Sequence, residues 1–81
     1  MKLPRDLSGH ELASLPRGFG YQIARQTGSH LRLVRKTEGK EHHVTIPAHR
    51  QLKVGTLSGI LADVAAHLGM RRDQLVQELF G

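Results

Sequence analysis

Apolar and polar residues alternate along three short stretches in the middle of the chain, and a period of two is typical of β-strands. These stretches are residues 21–25, 29–35 and 42–46. Farther on, apolar residues recur at helical spacing from Leu57 to Leu68, and Gly69 then marks a helix end. A last helical pattern covers 72–80. The pattern therefore predicts three strands followed by two helices.

A further helix is predicted before the strands. Ser8 and Glu11 have the spacing of a capping box, in which the serine oxygen accepts from the Glu11 amide and the glutamate reaches back. Pro16 cannot donate a backbone hydrogen bond and disfavours helical geometry at the preceding residue. We therefore expect this first helix to be short or kinked and to end by Gly18 or Gly20.

The second helix is predicted to open at Gly55 and Thr56, with Thr56 as its N-cap. The element order is then helix, three antiparallel strands, helix and a short C-terminal helix. Strands in a run, flanked by helices, indicate an α+β fold. The order α-β-β-β-α is also that of double-stranded-RNA-binding domains, which grip phosphates and 2′-hydroxyls by shape.

The strand register is predicted by matching the apolar faces. A three-residue loop at 26–28, with Gly28 in the left-handed conformation, fits the first hairpin. The predicted pairs are Ile23 with Leu31, Tyr21 with Leu33, Leu33 with Val44 and Leu31 with Ile46. The opposite face of the sheet then carries His30, Arg32, His43 and Thr45.

Charge and composition narrow the possible partners. Lys and Arg number 12 against 7 acidic residues, for a net charge of +5, which favours nucleic acid or an acidic protein as partner. Only three aromatic residues are present, which argues against a base-stacking platform for single strands. The absence of cysteine excludes disulfides and thiolate metal sites.

No apolar run approaches the roughly 20 residues that cross a bilayer, and the N-terminus has no apolar signal region. We therefore expect no membrane partner and a cytoplasmic location. The histidines also lack the spacing of a typical zinc site, so no metal is expected.

Three segments carry a family resemblance. They read RQTGSH at 25–30, VTIPAH at 44–49 and LKVGTLSGIL at 52–61. In sequence and spacing they resemble the HicA toxins of bacterial toxin–antitoxin pairs, and the similarity runs from about Asp6 to Phe80. The resemblance implies one domain over residues 1–81, a double-stranded-RNA-binding-domain-like fold, cleavage of mRNA without a cofactor and a HicB-type antitoxin as partner. It places a single essential histidine at His30.

A histidine at that hairpin corner also makes chemical sense. RNA cleavage can use the substrate's own 2′-hydroxyl as nucleophile. An imidazole, with an unperturbed pKa of about 6.5, can accept the proton of that hydroxyl or donate one to the leaving oxygen. Ser29 and Arg32, beside His30, are predicted to orient or neutralise RNA phosphates. Arg50, Lys53 and Thr56 are predicted to do the same at the N-terminus of the second helix, where free amides favour an anion.

The other histidines differ in their predicted distance from His30. His43 is predicted on the face of His30 but on the order of 13 Å away along the strands, at about 3.3 Å per residue, which is too far to share one phosphate. His49 is the better candidate for the general acid. A hydrogen bond between Ser29 and His30 is not expected, because neighbouring residues of a strand point to opposite faces. His67, at a helix C-terminus, is expected to be partly protonated.

Two other functions remain open at this point. One is a non-catalytic RNA-binding module that uses the same face, and the other is a protein-interaction domain whose basic surface binds an acidic partner. His30 would then be a surface residue without a chemical role.

Overall fold

The computed structural model describes residues 3–4 and 6–81. The elements are α1 (Gly9–Ser14), a 3-10 helix (Leu15–Phe19), β1 (Gln22–Gln26), β2 (His30–Thr37), β3 (Lys40–Pro47), α2 (Val54–Leu68) and α3 (Arg72–Phe80). The strands form one antiparallel sheet in the order β1-β2-β3. The predicted α+β class, with the α-β-β-β-α order and an added C-terminal helix, is confirmed.

The first helix begins at the predicted capping box. Ser8 Oγ accepts from the Glu11 amide and Glu11 Oε1 accepts from the Ser8 amide, each at 3.1 Å. Pro16 stands in the first turn of the 3-10 helix, where a missing N–H costs little. Gly20 ends that helix in the left-handed conformation, with a φ of 93°. The first helix is thus short, as predicted.

One face of the sheet is covered by the helices. Leu31 and Leu33 of β2 and Val44 and Ile46 of β3 are buried. They share one apolar cluster with residues of all three α-helices, including Leu12, Leu57, Leu61, Leu75 and Val76. The opposite face includes the exposed residues His30, Arg32, His43 and Thr45, and this surface is called the open face below.

The register of β2 against β3 is the predicted one. Leu33 pairs with Val44 and Leu31 pairs with Ile46. The ladder also places His30 opposite Pro47, at the end of β3. Matching of apolar faces succeeds here because both strands alternate regularly.

The register of β1 against β2 differs from the prediction. Ile23 pairs with Leu33 rather than Leu31, and Arg25 pairs with Arg32. Two steps along β1 therefore match one step along β2, so that Ala24 is the extra residue of a β-bulge. Ile23 remains 43% exposed, while Tyr21 is buried just before the strand begins.

The turn between β1 and β2 is also tighter than predicted. Gln26 pairs with Leu31, and the Thr27 amide donates to the His30 carbonyl at 2.9 Å. Only Gly28 and Ser29 therefore lie between the bonded residues. Gly28 is not among the glycines with positive φ, so the predicted left-handed conformation is wrong.

The second helix begins earlier than predicted. Lys53 is its N-cap, Val54 is its first residue, and Thr56 lies within the first turn. Since Thr56 lies inside the helix, its prediction as N-cap is wrong, and the Lys53 side chain makes no capping hydrogen bond. Gly69 ends α2 with a φ of 71°, as predicted. Among the described residues, no helix has the length and apolar character to cross a membrane.

Candidate functional site

A shallow pocket of about 190 Å³ lies on the open face, next to the β1–β2 turn. The residues that line it are Arg25, Thr27, His30, Arg32 and Thr45. All five are exposed, so a large substrate that lies across the sheet can reach every one of them. The lining holds two guanidinium groups and one imidazole but no carboxylate, which makes the pocket suited to an anion.

The backbone of His30 is held by Thr27 on the other side of the turn. The Thr27 amide donates to the His30 carbonyl at 2.9 Å, and Thr27 Oγ1 accepts from the His30 amide at 3.1 Å. The same hydroxyl lies 3.3 Å from the His30 carbonyl oxygen, to which it can donate. Three contacts therefore fix the start of β2, and with it the direction in which the imidazole leaves the chain.

The imidazole of His30 is held by Ser29. Ser29 Oγ lies 3.0 Å from His30 Nδ1, so the expectation that these two side chains do not meet is wrong. That expectation assumed strand alternation, but Ser29 belongs to the turn and β2 begins only at His30. The hydrogen bond occupies Nδ1 and leaves Nε2 as the ring nitrogen available to a substrate.

Arg25 joins the pocket through strand pairing. Arg25 lies directly opposite Arg32 on the neighbouring strand. Neither side chain makes a hydrogen bond or an ion pair with another described residue. Sequence reasoning did not place Arg25 or Thr27 at the site. The available signal for Thr27 was its position at the edge of a Gly-Ser turn, where threonine hydroxyls bond the local backbone.

Of the predicted phosphate ligands, Ser29 and Arg32 lie beside His30. Arg50, Lys53 and Thr56 are exposed but are not among the residues that line the pocket. They follow the end of β3, where the Ala48 amide donates to the Ser29 carbonyl at 2.9 Å. The loop that carries them thus leaves the sheet next to the His30 corner.

Three other histidines, His10, His43 and His49, do not line the pocket. His43 lies opposite Val34, four residues along β2 from His30 as predicted, and its Nε2 is 3.1 Å from Glu41 Oε2. The Nε2 atom of His10, in α1, lies 3.2 Å from the side-chain Nε2 atom of Gln26, on the helix-covered side. His49 is exposed, and its carbonyl accepts from the Gly9 amide at 2.9 Å.

A second polar cluster joins β3 to α2. Tyr21 Oη lies 2.7 Å from His42 Nδ1, and His42 Nε2 lies 3.4 Å from Asp63 Oδ1. The rings of His42 and His67 stack with centroids 4.2 Å apart, and Arg35 Nη1 lies 3.4 Å from His67 Nε2. Burial raises the pKa of the Tyr21 phenol above its ordinary value.

The pKa of His67 is shifted in the direction opposite to the one that a helix C-terminus favours. Partial burial of the ring, followed by the charges of His42 and Arg35, lowers the pKa of His67. His67 is therefore biased toward its neutral form, and the expectation of a partly protonated imidazole is wrong.

The described residues contain no group of three or more His, Asp or Glu side chains that could hold a metal ion. The side chains that line the pocket offer imidazole, guanidinium and hydroxyl groups.

Comparison with known proteins gives one family. The model of the family described as HicA toxin of bacterial toxin-antitoxin matches residues 9–65 of the 81-residue chain. This segment runs from α1 to late in α2 and includes the whole pocket. Comparisons with curated proteins and with solved structures give no match. Because the matched segment covers more than half of the chain, the protein belongs to the HicA family of bacterial toxin–antitoxin toxins.

Proposed function

We propose that this toxin is an endoribonuclease that cleaves mRNA, with His30 as the residue that transfers a proton. One observation carries the proposal: the His30 imidazole is fixed by Thr27 and Ser29 on an exposed face, in a pocket that it shares with two arginines. A residue that transfers a proton must be held in place and within reach of the substrate, and His30 meets both conditions.

In the proposed reaction the substrate supplies the nucleophile. His30 Nδ1–H donates to Ser29 Oγ, so that Nε2 has a free lone pair and takes the proton of an RNA 2′-hydroxyl. The 2′-oxygen bonds to the adjacent phosphorus while the bond to the 5′-oxygen breaks, and a general acid gives that oxygen a proton. The products are a 2′,3′-cyclic phosphate and a 5′-hydroxyl. Acid–base assistance of this kind contributes typically about 10²–10⁴-fold to a rate.

The other predicted residues are given supporting roles. Ser29 orients the imidazole, and Arg32 neutralises charge on an RNA phosphate beside His30. Arg50, Lys53 and Thr56 bind RNA phosphates farther along the strand, where the first turn of α2 presents amides without a side-chain cap. His49 remains the candidate for the general acid.

A HicB-type antitoxin is the proposed protein partner, in the cytoplasm. Family membership supports a cognate antitoxin, and the net charge of +5 suits an acidic partner surface. A partner that covered the open face would block access to His30 and silence the enzyme.

Cleavage of labelled RNA by the purified chain tests this function. With chelator present, we expect the wild type to cleave and His30→Ala to lose at least about 10²-fold in rate, as for the removal of an acid–base group. His43→Ala is the matched control, because it removes an exposed histidine from the same face outside the pocket. Salt-sensitive RNA binding without any product would instead support the non-catalytic RNA-binding module. Binding of an acidic protein but not of RNA would support the interaction domain.

A further inference from the structure

The bulge in β1 decides which face of the sheet Arg25 occupies. Ile23 and Arg25 are two residues apart, and in a regular strand such residues share a face. Ile23 pairs with Leu33, whose side chain lies in the core. A regular ladder would therefore turn Arg25 toward the helix-covered side.

The observed pairing places Arg25 on the other face. Beyond the bulge, Arg25 lies opposite Arg32, which belongs to the open face. The next pair agrees with this assignment: Gln26 lies opposite the buried Leu31, and its amide contacts His10 of α1 on the helix side. Ala24 is thus absorbed as the extra residue, and bulges commonly redirect a side chain next to a functional site.

The pairing of Arg25 with Arg32 is unfavourable as long as no anion is bound between them. Like charges directly opposite each other on neighbouring strands destabilise a sheet. No carboxylate lines the pocket that holds Arg25 and Arg32, and no acidic side chain pairs with either of them among the described residues. A bound dianion or phosphodiester would reverse the sign of this interaction, because guanidinium groups bind phosphate oxygens through two parallel hydrogen bonds.

We propose that Arg25 and Arg32 together form a phosphate subsite of the RNA-binding surface, next to the phosphate on which His30 acts. Arg32 is two residues from His30 along β2, which is about 7 Å at 3.3–3.4 Å per residue and suits the separation of neighbouring backbone phosphates. Thr45, opposite Arg32 on β3, lines the same pocket and offers a hydroxyl to the anion. This inference rests on the proposed function and adds Arg25 to the residues that recognise the substrate.

The test compares four otherwise matched proteins that all carry His30→Ala, so that the labelled RNA stays intact. They are the His30→Ala parent, which has no other change, and the same parent with Arg25→Gln, Arg25→Lys or Arg17→Gln added. Arg17 is an exposed arginine of the 3-10 helix and does not line the pocket. Arg17→Gln therefore removes one positive charge from the protein without changing the pocket. RNA binding is measured by fluorescence anisotropy over a series of salt concentrations.

We expect Arg25→Gln to bind about tenfold more weakly, as for the loss of one hydrogen-bonded charged contact. The slope of log affinity against log salt should fall in magnitude by about 0.7 to 1, as for one phosphate contact. Arg25→Lys should restore the slope but not the full affinity, because lysine keeps the charge without the planar fork. At low salt the thermal midpoint of Arg25→Gln should equal or exceed that of the His30→Ala parent, because the substitution removes the repulsion between two like charges.

The outcomes separate this inference from the proposed function. If Arg25→Gln and Arg17→Gln give the same affinity and slope while the chain with His30 cleaves RNA, the subsite is wrong and the proposed function stands. A thermal midpoint lowered by Arg25→Gln would also overturn the subsite, because Arg25 would then stabilise the sheet. If the chain with His30 neither binds nor cleaves RNA, the proposed function fails and the subsite fails with it.

Discussion

Replacement of Gly9 by alanine tests how α1 is held against the end of β3. A Cβ atom at Gly9 would overlap the Pro47 carbonyl oxygen and would lie 3.0 Å from the Pro47 carbonyl carbon and 3.1 Å from Ala48 Cα. All three are backbone atoms, so no side-chain rotation can relieve the overlap. Because Pro47 is paired with His30, the displacement would reach the proposed catalytic corner.

The magnitude follows from three contributions. Overpacking of this kind costs typically about 1–3 kcal/mol. Separation of the two segments also weakens the hydrogen bond from the Gly9 amide to the His49 carbonyl, 2.9 Å long, which adds about 1 kcal/mol. Alanine regains at most about 1 kcal/mol through its higher helix propensity. The free energy of unfolding should therefore fall by about 1–3 kcal/mol, which lowers the thermal midpoint of a domain of this size by roughly 4–8 °C per kcal/mol.

Urea unfolding followed by circular dichroism measures this change, with Gly59→Ala as the matched control. Gly59 lies in α2 and is exposed, and apart from its chain neighbours and the adjacent helix backbone no atom lies within 4 Å of the Cβ position. The same substitution there should raise the free energy of unfolding by up to about 1 kcal/mol. The two variants should thus shift stability in opposite directions. A Gly9→Ala protein as stable as the Gly59→Ala protein would refute the close packing of α1 on β3.

Three further outcomes are expected. Tyr21→Phe removes the 2.7 Å hydrogen bond to His42 from a side chain that is 1% exposed. The free energy of unfolding, measured by chemical denaturation, should therefore fall by about 1 kcal/mol. An unchanged unfolding midpoint would contradict this hydrogen bond. Because the pKa of His67 is lowered in the folded state, the unfolded chain binds the proton more readily, and stability should fall as the pH drops below about 6.5. Urea midpoints at pH 7.5 and 5 should differ less in His67→Gln than in the wild type, and an equal difference would exclude His67 as the source. Ser29→Ala should lower kcat for RNA cleavage with little change in KM, since Ser29 orients the ring of His30; a change confined to KM would make Ser29 a binding residue instead.

Much of the fold was predictable because local signals agreed with tertiary packing. The capping box at Ser8, the stop at Gly69 and the bounds of α3 each depend on residues within one turn. The β2–β3 register follows from regular alternation of apolar residues on both strands. These features are enough to predict from the sequence that His30 and Arg32 share one exposed face.

The two failures that concern the His30 side chain and its neighbour Arg25 share one physical cause, which is departure from regular alternation. Ala24 adds a residue to β1, and no feature of the alternating pattern distinguishes a bulged strand from a regular one. Arg25 was therefore not placed beside His30. Ser29 belongs to the turn and not to the strand, so the alternation of side chains along a strand does not predict its bond to the His30 ring.

The measurement that tests the central claim most directly is the analysis of products from RNA incubated with wild-type and His30→Ala protein in the presence of chelator. We expect the wild type to give fragments that end in 2′,3′-cyclic phosphate and 5′-hydroxyl groups, and a single 2′-deoxy nucleotide at the mapped position to block cleavage there. His30→Ala should give no product above background while it retains the unfolding midpoint of the wild type. Cleavage by His30→Ala at the wild-type rate, or cleavage at the 2′-deoxy position, would contradict the account.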